Sequence, residues 1–237
     1  MLAGLRLAFS WLTVLPVHVR QVDRGVARWA VAFAPVVGLV LGGAAAGLLV
    51  LLGAVQLGTG LLGGVLAVAF LAVATRGMHL DGLADTADGL GSYKSPEKAL
   101  AIMRDGPVGP FGVVAIVLVL GVQAAAIRDW AVLVLAVTTG RVAFTVCCHH
   151  LVPAARAEGL GALVAGTQPT FVPLGWVVLV AAVSLTQGWR GPVAVVAATG
   201  LVVLLVRHAT KRLGGITGDV LGAASELATA VVLVGLS

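Results

Sequence analysis

Hydrophobic residues run almost unbroken through seven stretches, at about Trp29–Ala54, Gly60–Thr75, Pro107–Ile127, Trp130–Cys148, Thr170–Gln187, Gly191–Arg207 and Asp219–Leu236. Polar residues collect between them. A helix needs about 20 apolar residues to cross a bilayer, so the pattern predicts an all-α, polytopic integral membrane protein with about seven transmembrane helices. Several stretches are short, and the second reaches full length only by continuing into Gly77–Leu80. Pro35 predicts a kink in the first, which packed neighbours tolerate. Tight outer turns are expected at Val55–Thr59, Arg128–Asp129 and Gly188–Arg190. The opening residues, with Arg6 among apolar neighbours and no small-residue cleavage site, predict an interfacial or re-entrant helix and not a cleaved signal. Ser95 followed by Pro96 is a helix start. Leu100 and Met103 then give the run to Arg104 an apolar face, predicting a surface helix lying on the membrane. No repeat or linker divides the chain, so residues 1–237 are expected to form a single transmembrane catalytic domain.

Composition supports the bilayer as solvent. The 237 residues are 59% hydrophobic and 11% charged, with a mean hydropathy of +1.08, whereas soluble domains carry about 25% charged residues. The 32 glycines allow close helix packing in lipid. The net charge of +5 is better explained by the positive-inside rule than by nucleic acid, and no nucleic-acid partner is expected. With the N-terminus in the cytoplasm, the inner segments hold Arg6, Arg20, Arg24, Arg28, Arg76, Lys94, Lys98, Arg104, Arg156, Arg207, Lys211 and Arg212. The outer ones hold only Arg128 and Arg190. The adjacent Cys147 and Cys148 offer no disulfide framework, and neighbours bridge only with strain.

The chemistry concentrates in His79–Leu90, HLDGLADTADGL, which carries three of the ten acidic residues. At about 100° per helical residue, Asp81, Asp85 and Asp88 fall within a sector of about 60°. Gly82, Thr86 and Gly89 form a strip of little bulk beside them, with room for a phosphate to approach. Three carboxylates so close repel one another and call for a cation. Oxygen ligands suit Mg²⁺, Mn²⁺ or Ca²⁺. A solvated acidic face is the plainer alternative. Asp219 opens the last stretch after Gly214-Gly215-Ile216-Thr217-Gly218. It reads as an N-cap, or as a fourth acid or phosphate cradle facing the trio. Glu226 lies on the same face, deeper. Arg141 sits at similar depth in its own stretch, so an Arg141–Glu226 pair, or joint contact with substrate, is expected. Asp105 is a turn residue, or a further ligand or general base. His79 could bind phosphate or shuttle a proton, or be a plain interfacial histidine. His149 and His150 should point apart on a helix and make a poor metal site. Four tryptophans, Trp29, Trp130, Trp176 and Trp189, lie near predicted span edges as an aromatic belt would. GxxxxGK[ST], HExxH and GxSxG motifs are absent.

HLDGLADTADGL, the later IMRDGPVGPFG and GGITGDVLGAASE, together with the opening LRLAFSWLTVLPV, resemble the cobalamin synthase (adenosylcobinamide-GDP ribazoletransferase) family. The family's opening tends to read FLTRLP; here Val14 stands for the arginine. The resemblance implies an inner-membrane enzyme with its site facing the cytoplasm. It would join adenosylcobinamide-GDP to α-ribazole, or its 5′-phosphate, and release GMP with Mg²⁺. On that reading Asp81, Asp85 and Asp88 hold the metal, with Asp219 as a further ligand. Asp88 or Asp105 is the base, and Arg104, Lys211 and Arg212 neutralise phosphate. Membrane lipid surrounds the protein. Lower-base specificity, metal number and oligomeric state, a homo-oligomer included, stay open. Asp85-Thr86-Ala87-Asp88-Gly89 also resembles the DxxDG start of CDP-alcohol phosphotransferases, but the residues that should follow depart from it. An ion-coupled transporter would place its acids near the bilayer midplane, whereas these crowd one surface.

Overall fold

The computed structural model describes residues 1–54 and 60–237, apart from the side chain of Asp105. The turn expected at Val55–Thr59 lies outside the described residues. All regular elements among the described residues are helical: α1 (Leu2–Leu12), α2 (Arg24–Ala32), α3 (Ala34–Ala54), α4 (Gly60–Ala74), α5 (Met78–Gly91), α6 (Pro96–Asp105), α7 (Pro110–Ala126), α8 (Trp130–Cys147), α9 (Leu160–Val164), α10 (Phe171–Ser184), α11 (Arg190–Leu213) and α12 (Gly218–Gly235). Four of them, α3, α8, α11 and α12, are long and apolar enough to cross a membrane, and the bent pair α4–α5 adds a fifth if taken as one span. Helices α7 and α10 are apolar but shorter. The expected seven spans thus all appear as helices, while only four or five meet the length of a span.

Helices α8 and α12 form the centre, and α3 and α11 the flanks: 78% and 67% of the apolar windows of the first two are buried, against 33% for each of the others. Leu51, Val117, Leu118, Val196 and Leu204 point outward, as a membrane solvent requires. Small residues set the spacing. A side chain at Gly140 of α8 would lie 2.8 Å from the Ser225 carbonyl of α12, so only hydrogen there lets the two backbones meet.

Three details depart from the expected layout. Pro35 does not kink a continuous helix; the helix breaks at Phe33, which caps α2 before α3 begins. The second apolar stretch does not continue straight. Arg76 and Gly77 both adopt left-handed backbone, φ 57° and 67°, and the chain turns by 92° between α4 and α5. Helix α5 therefore leaves the line of α4 at this corner and packs against α12. The Arg76 guanidinium donates to the carbonyls of Ser10 and Trp11 at 3.1 and 3.3 Å, pinning α1 to this corner. Lastly, α6 starts at Ser95 and Pro96 as expected, but its apolar face is covered by protein. Met103 is 3% exposed and packs against Gly89, so α6 lies on α5 and not on lipid.

Candidate active site

Helix α5 is amphipathic in an unusual sense. One side is a packing seam and the other carries acids. At Gly82 a Cβ would lie 2.7 Å from the backbone oxygen of Asp219, and at Gly222 a Cβ would lie 3.1 Å from the His79 Cα. These glycines bring α5 and the first turn of α12 into backbone contact. Gly89 is filled by Met103. The strip expected to admit a phosphate is therefore occupied by protein at both Gly82 and Gly89.

The three acids of α5 separate into two roles. Asp88 is buried, and its carboxylate accepts the backbone N–H of Gly109 at 2.7 Å and of Gly112 at 3.0 Å. It caps the start of α7 from another helix, where free N–H groups and the helix dipole favour an anion. A Cβ at either glycine would fall 2.5–2.6 Å from a carboxylate oxygen, which explains both glycines. Asp81 is exposed and Asp85 half-buried. Desolvation pushes the Asp85 carboxyl up to about 6, assisted by the like charges of Asp81, Asp219 and Asp88 and partly offset by Arg156. Those four charges therefore all act on Asp85.

Asp219 joins from α12. The N-cap there is Thr217, whose hydroxyl receives the Val220 N–H at 3.4 Å and donates to Asp219 at 3.0 Å. Asp219 is thus a first-turn acid facing α5, as its second reading required. Arg156 was noted in the sequence only as one inner charge. It reaches the site because the loop after α8 is stitched to the turn before α12. Ala155 donates to the Ile216 carbonyl and Ile216 to the Pro153 carbonyl, each at 2.9 Å. Arg156 also donates to the Leu100 carbonyl of α6 at 2.6 Å. The close-packed Gly215, where a Cβ would lie 2.5 Å from the Ala154 carbonyl carbon, was the available signal for this docking.

A cavity of about 420 Å³ opens beside the acids, bounded by α1, α2, α8, α9 and α12 and including Asp81, Asp219, Arg76 and His79 in its wall. Behind it lies a closed polar cluster. Arg141 donates to Ser225 at 2.9 Å and to Nδ1 of His79 at 3.1 Å. Gln123 donates to the Glu226 carboxylate at 2.8 Å, and His79 Nδ1 stands 3.8 Å from that carboxylate. The direct Arg141–Glu226 pair expected from the sequence does not form; His79 stands between them. Arg141 is 3% and Glu226 9% exposed. Both line a cavity of about 20 Å³, large enough for one water and not for substrate.

The remaining candidates scatter. Arg104 is exposed on α6. Arg212 donates to the Lys94 carbonyl at 3.3 Å, tying α11 to the α5–α6 connection. Lys211 faces a different groove, with Arg207 and His149. His149 and His150 do not point apart, because the helix ends at Cys147. Their rings lie 4.2 Å apart, and His149 shares a 3.0 Å hydrogen bond with Thr170. The Asp105 side chain is outside the described residues. Among the described residues no three acids, histidines or cysteines are gathered into a ready-made metal cage. Of the described acids, Asp81 and Asp219 alone stand in the wall of the cavity, and two carboxylates suit a hard cation that takes the rest of its shell from water and phosphate.

The comparisons with known proteins agree with one another. Residues 4–237 match the family model described as cobalamin-5-phosphate synthase. A protein of Nocardioides sp. named adenosylcobinamide-GDP ribazoletransferase is 46% identical over 234 residues, covering 96% of this chain and 95% of its own. Proteins of the same name from Frankia casuarinae and Corynebacterium efficiens are 39% and 37% identical, each covering 98% of this chain and 94% and 90% of their own. No solved structure matches the chain. Helices, acidic cleft and near-full-length similarity converge: the chain belongs to the cobalamin-5-phosphate synthase family, transferases of cobalamin biosynthesis.

Proposed function

We propose that this protein joins adenosylcobinamide-GDP to α-ribazole or its 5′-phosphate, yielding adenosylcobalamin or its 5′-phosphate and GMP. The reaction would take place at the cytoplasmic face of the inner membrane. The names of the relatives supply the substrates. The observation that carries the reading to this chain is the set of charges acting on Asp85, two of which, Asp81 and Asp219, stand in the wall of a cavity of about 420 Å³.

The reaction exchanges a phosphoanhydride bond for a phosphoester bond. A ribose hydroxyl of the acceptor forms a bond to the phosphorus on the corrinoid side of the pyrophosphate. The bond from that phosphorus to the bridging oxygen breaks, and GMP leaves with that oxygen. Phosphoryl transfers depend mainly on positioning and charge stabilisation. Arg156, which donates only part of its five N–H groups to Leu100, would neutralise a non-bridging oxygen. Asp85 accepts the hydroxyl proton, since a carboxyl near 6 is a better base at neutral pH than an ordinary aspartate. Asp81 and Asp219, both in the cavity wall, would hold Mg²⁺, which when bound supplies charge stabilisation to the pyrophosphate. Asp88 acts by fixing α7 against α5, and the base assignment moves from it to Asp85.

The positive-inside distribution of the arginines and lysines supports the cytoplasmic orientation. A polar corrinoid nucleotide cannot enter hydrocarbon, so the site must open to water at one face. The test is direct. Purified protein in lipid nanodiscs, given both substrates and Mg²⁺, should release GMP and form the cobalamin product. Absence of GMP release overturns the reading.

A further inference from the structure

Helix α11 carries two basic residues in its last two turns, Arg207 and Lys211. Both line a groove of about 620 Å³, within the roughly 300–1,000 Å³ usual for small-molecule sites. Val203 and Val206 of the same helix line it too. So do Val146 in the last turn of α8, Val152 in the loop beyond, and Pro173 in the first turn of α10. Along α11, Val203, Arg207 and Lys211 follow one another at intervals of about 6 Å. The cations therefore come last, where the helix ends. The groove shares no lining residue with the cavity that holds Asp81 and Asp219.

The charge in this groove is unbalanced. Among the described residues no carboxylate lines it, and neither Arg207 nor Lys211 makes a hydrogen bond or ion pair. Other arginines of the chain are tied down: Arg24, Arg76, Arg156 and Arg212 each donate to a backbone carbonyl. His149, also in the lining, is engaged with protein. Its Nδ1 receives the Leu151 N–H at 3.4 Å, so its Nε2 donates to Thr170 at 3.0 Å.

The groove also borders surface that lipid covers. Leu151 in its lining is 75% exposed. Leu174 and Leu204, adjacent in sequence to Pro173 and Val203, are 58% and 61% exposed, and α11 is long and apolar enough to cross a membrane.

We propose that this groove holds an anionic phospholipid, with its phosphate between Arg207 and Lys211 and an acyl chain against Val203, Val206 and Pro173. Basic pockets between spanning helices recognise such headgroups. A zwitterionic lipid would bring its own ammonium against the two cations. A soluble phosphate would leave the apolar wall facing water.

The experiment titrates the full-length protein in detergent with dioleoyl phosphatidylglycerol and with dioleoyl phosphatidylcholine, and counts bound lipid by native mass spectrometry. The two lipids share their acyl chains and differ in net charge. A basic side chain at a membrane surface favours anionic lipid about fivefold, so the unaltered protein should bind phosphatidylglycerol at least tenfold more tightly. Replacing both cations, Arg207→Gln with Lys211→Gln, should bring the two affinities within twofold. Arg20→Gln with Lys98→Gln removes the same charge from exposed positions outside the groove and should leave the preference intact. Leu151→Glu, at an exposed position where the fold is not at stake, sets a carboxylate in the groove and should weaken phosphatidylglycerol binding at least fivefold. No preference in the unaltered protein overturns the proposal, as does an equal loss in the Arg20 and Lys98 control or an unchanged affinity in Leu151→Glu. Displacement of the lipid by millimolar inorganic phosphate or by adenosylcobinamide-GDP also overturns it, since the groove would then serve a soluble phosphate or the substrate.

Discussion

The protein holds two clusters of charged side chains about one helix, and they differ in almost every physical respect. Around Asp85 the acids of α5 and α12 face a cleft, repel one another and leave a carboxyl raised to about 6. Around Arg141 the charges are enclosed among α5, α7, α8 and α12, and hydrogen bonds link them to Ser225, Gln123 and His79. The first cluster is unfavourable until something positive arrives. The second compensates itself and fixes how the helices meet. Charge in a membrane protein is a functional signal by default, yet only the cluster open to a cavity has the surplus charge and the space that chemistry needs.

The sharpest way to break this comparison is to neutralise one member of each cluster. Asp85→Asn should lower the rate of GMP release by about 10²–10⁴-fold, the usual contribution of a general base, with the folded protein retained. Arg141→Met should instead leave Glu226 uncompensated and destabilise the protein by about 3–5 kcal/mol, read from denaturation in detergent. A stable, inactive Arg141→Met variant would mean the buried cluster is catalytic after all. Next in size is Asp88→Ala, which leaves two buried N–H groups of α7 unpaired. A loss of about 2–4 kcal/mol is expected from two such groups, measured by thermal unfolding, and an unaltered Tm would remove Asp88 from its capping role.

A smaller effect separates the clusters by pH. The Asp85 carboxyl is raised from 3.8 to about 6 in the folded state. A raised acid favours folding while protonated, so its contribution is full below about pH 4 and lost as pH rises through about 6. Without divalent ions, Asp85→Asn should therefore raise Tm at pH 7.5 by a few degrees and change it little near pH 4, in a scan by differential calorimetry. In the unaltered protein, Mg²⁺ affinity should fall as the pH drops below about 6, because a proton on Asp85 removes a negative charge beside Asp81 and Asp219. A pH-independent Mg²⁺ titration would separate the ion from this carboxylate.

Much of the site was legible along the chain because helical periodicity is a local property. The shared face of Asp81, Asp85 and Asp88 follows from spacing alone, and so does the first-turn position of Asp219. What the spacing could not show was which acid had another task. Asp88 lies one turn from Asp85, and only the approach of α7 makes it a cap. Likewise Gly82 and Gly89 read as vacant space on an isolated helix, but Asp219 and Met103 fill that space. Arg156 was one basic residue among twelve in the inner segments until Gly215 let its loop dock on the turn before α12. His79 was read as a phosphate or proton group at the edge of the acidic motif. Its place between Arg141 and Glu226 depends on the corner at Arg76 and Gly77.

By itself the sequence determined the solvent, the helical class and the grouping of acids at one end, since each depends on composition or on periods of a few residues. It also held the motifs that resemble the family. The tertiary structure decided which carboxylates face a cleft and which guanidinium opposes them. It also decided that a cavity opens beside them. Those outcomes depend on contacts between residues tens to hundreds of positions apart, made where glycine lets two backbones touch, and no local pattern encodes them.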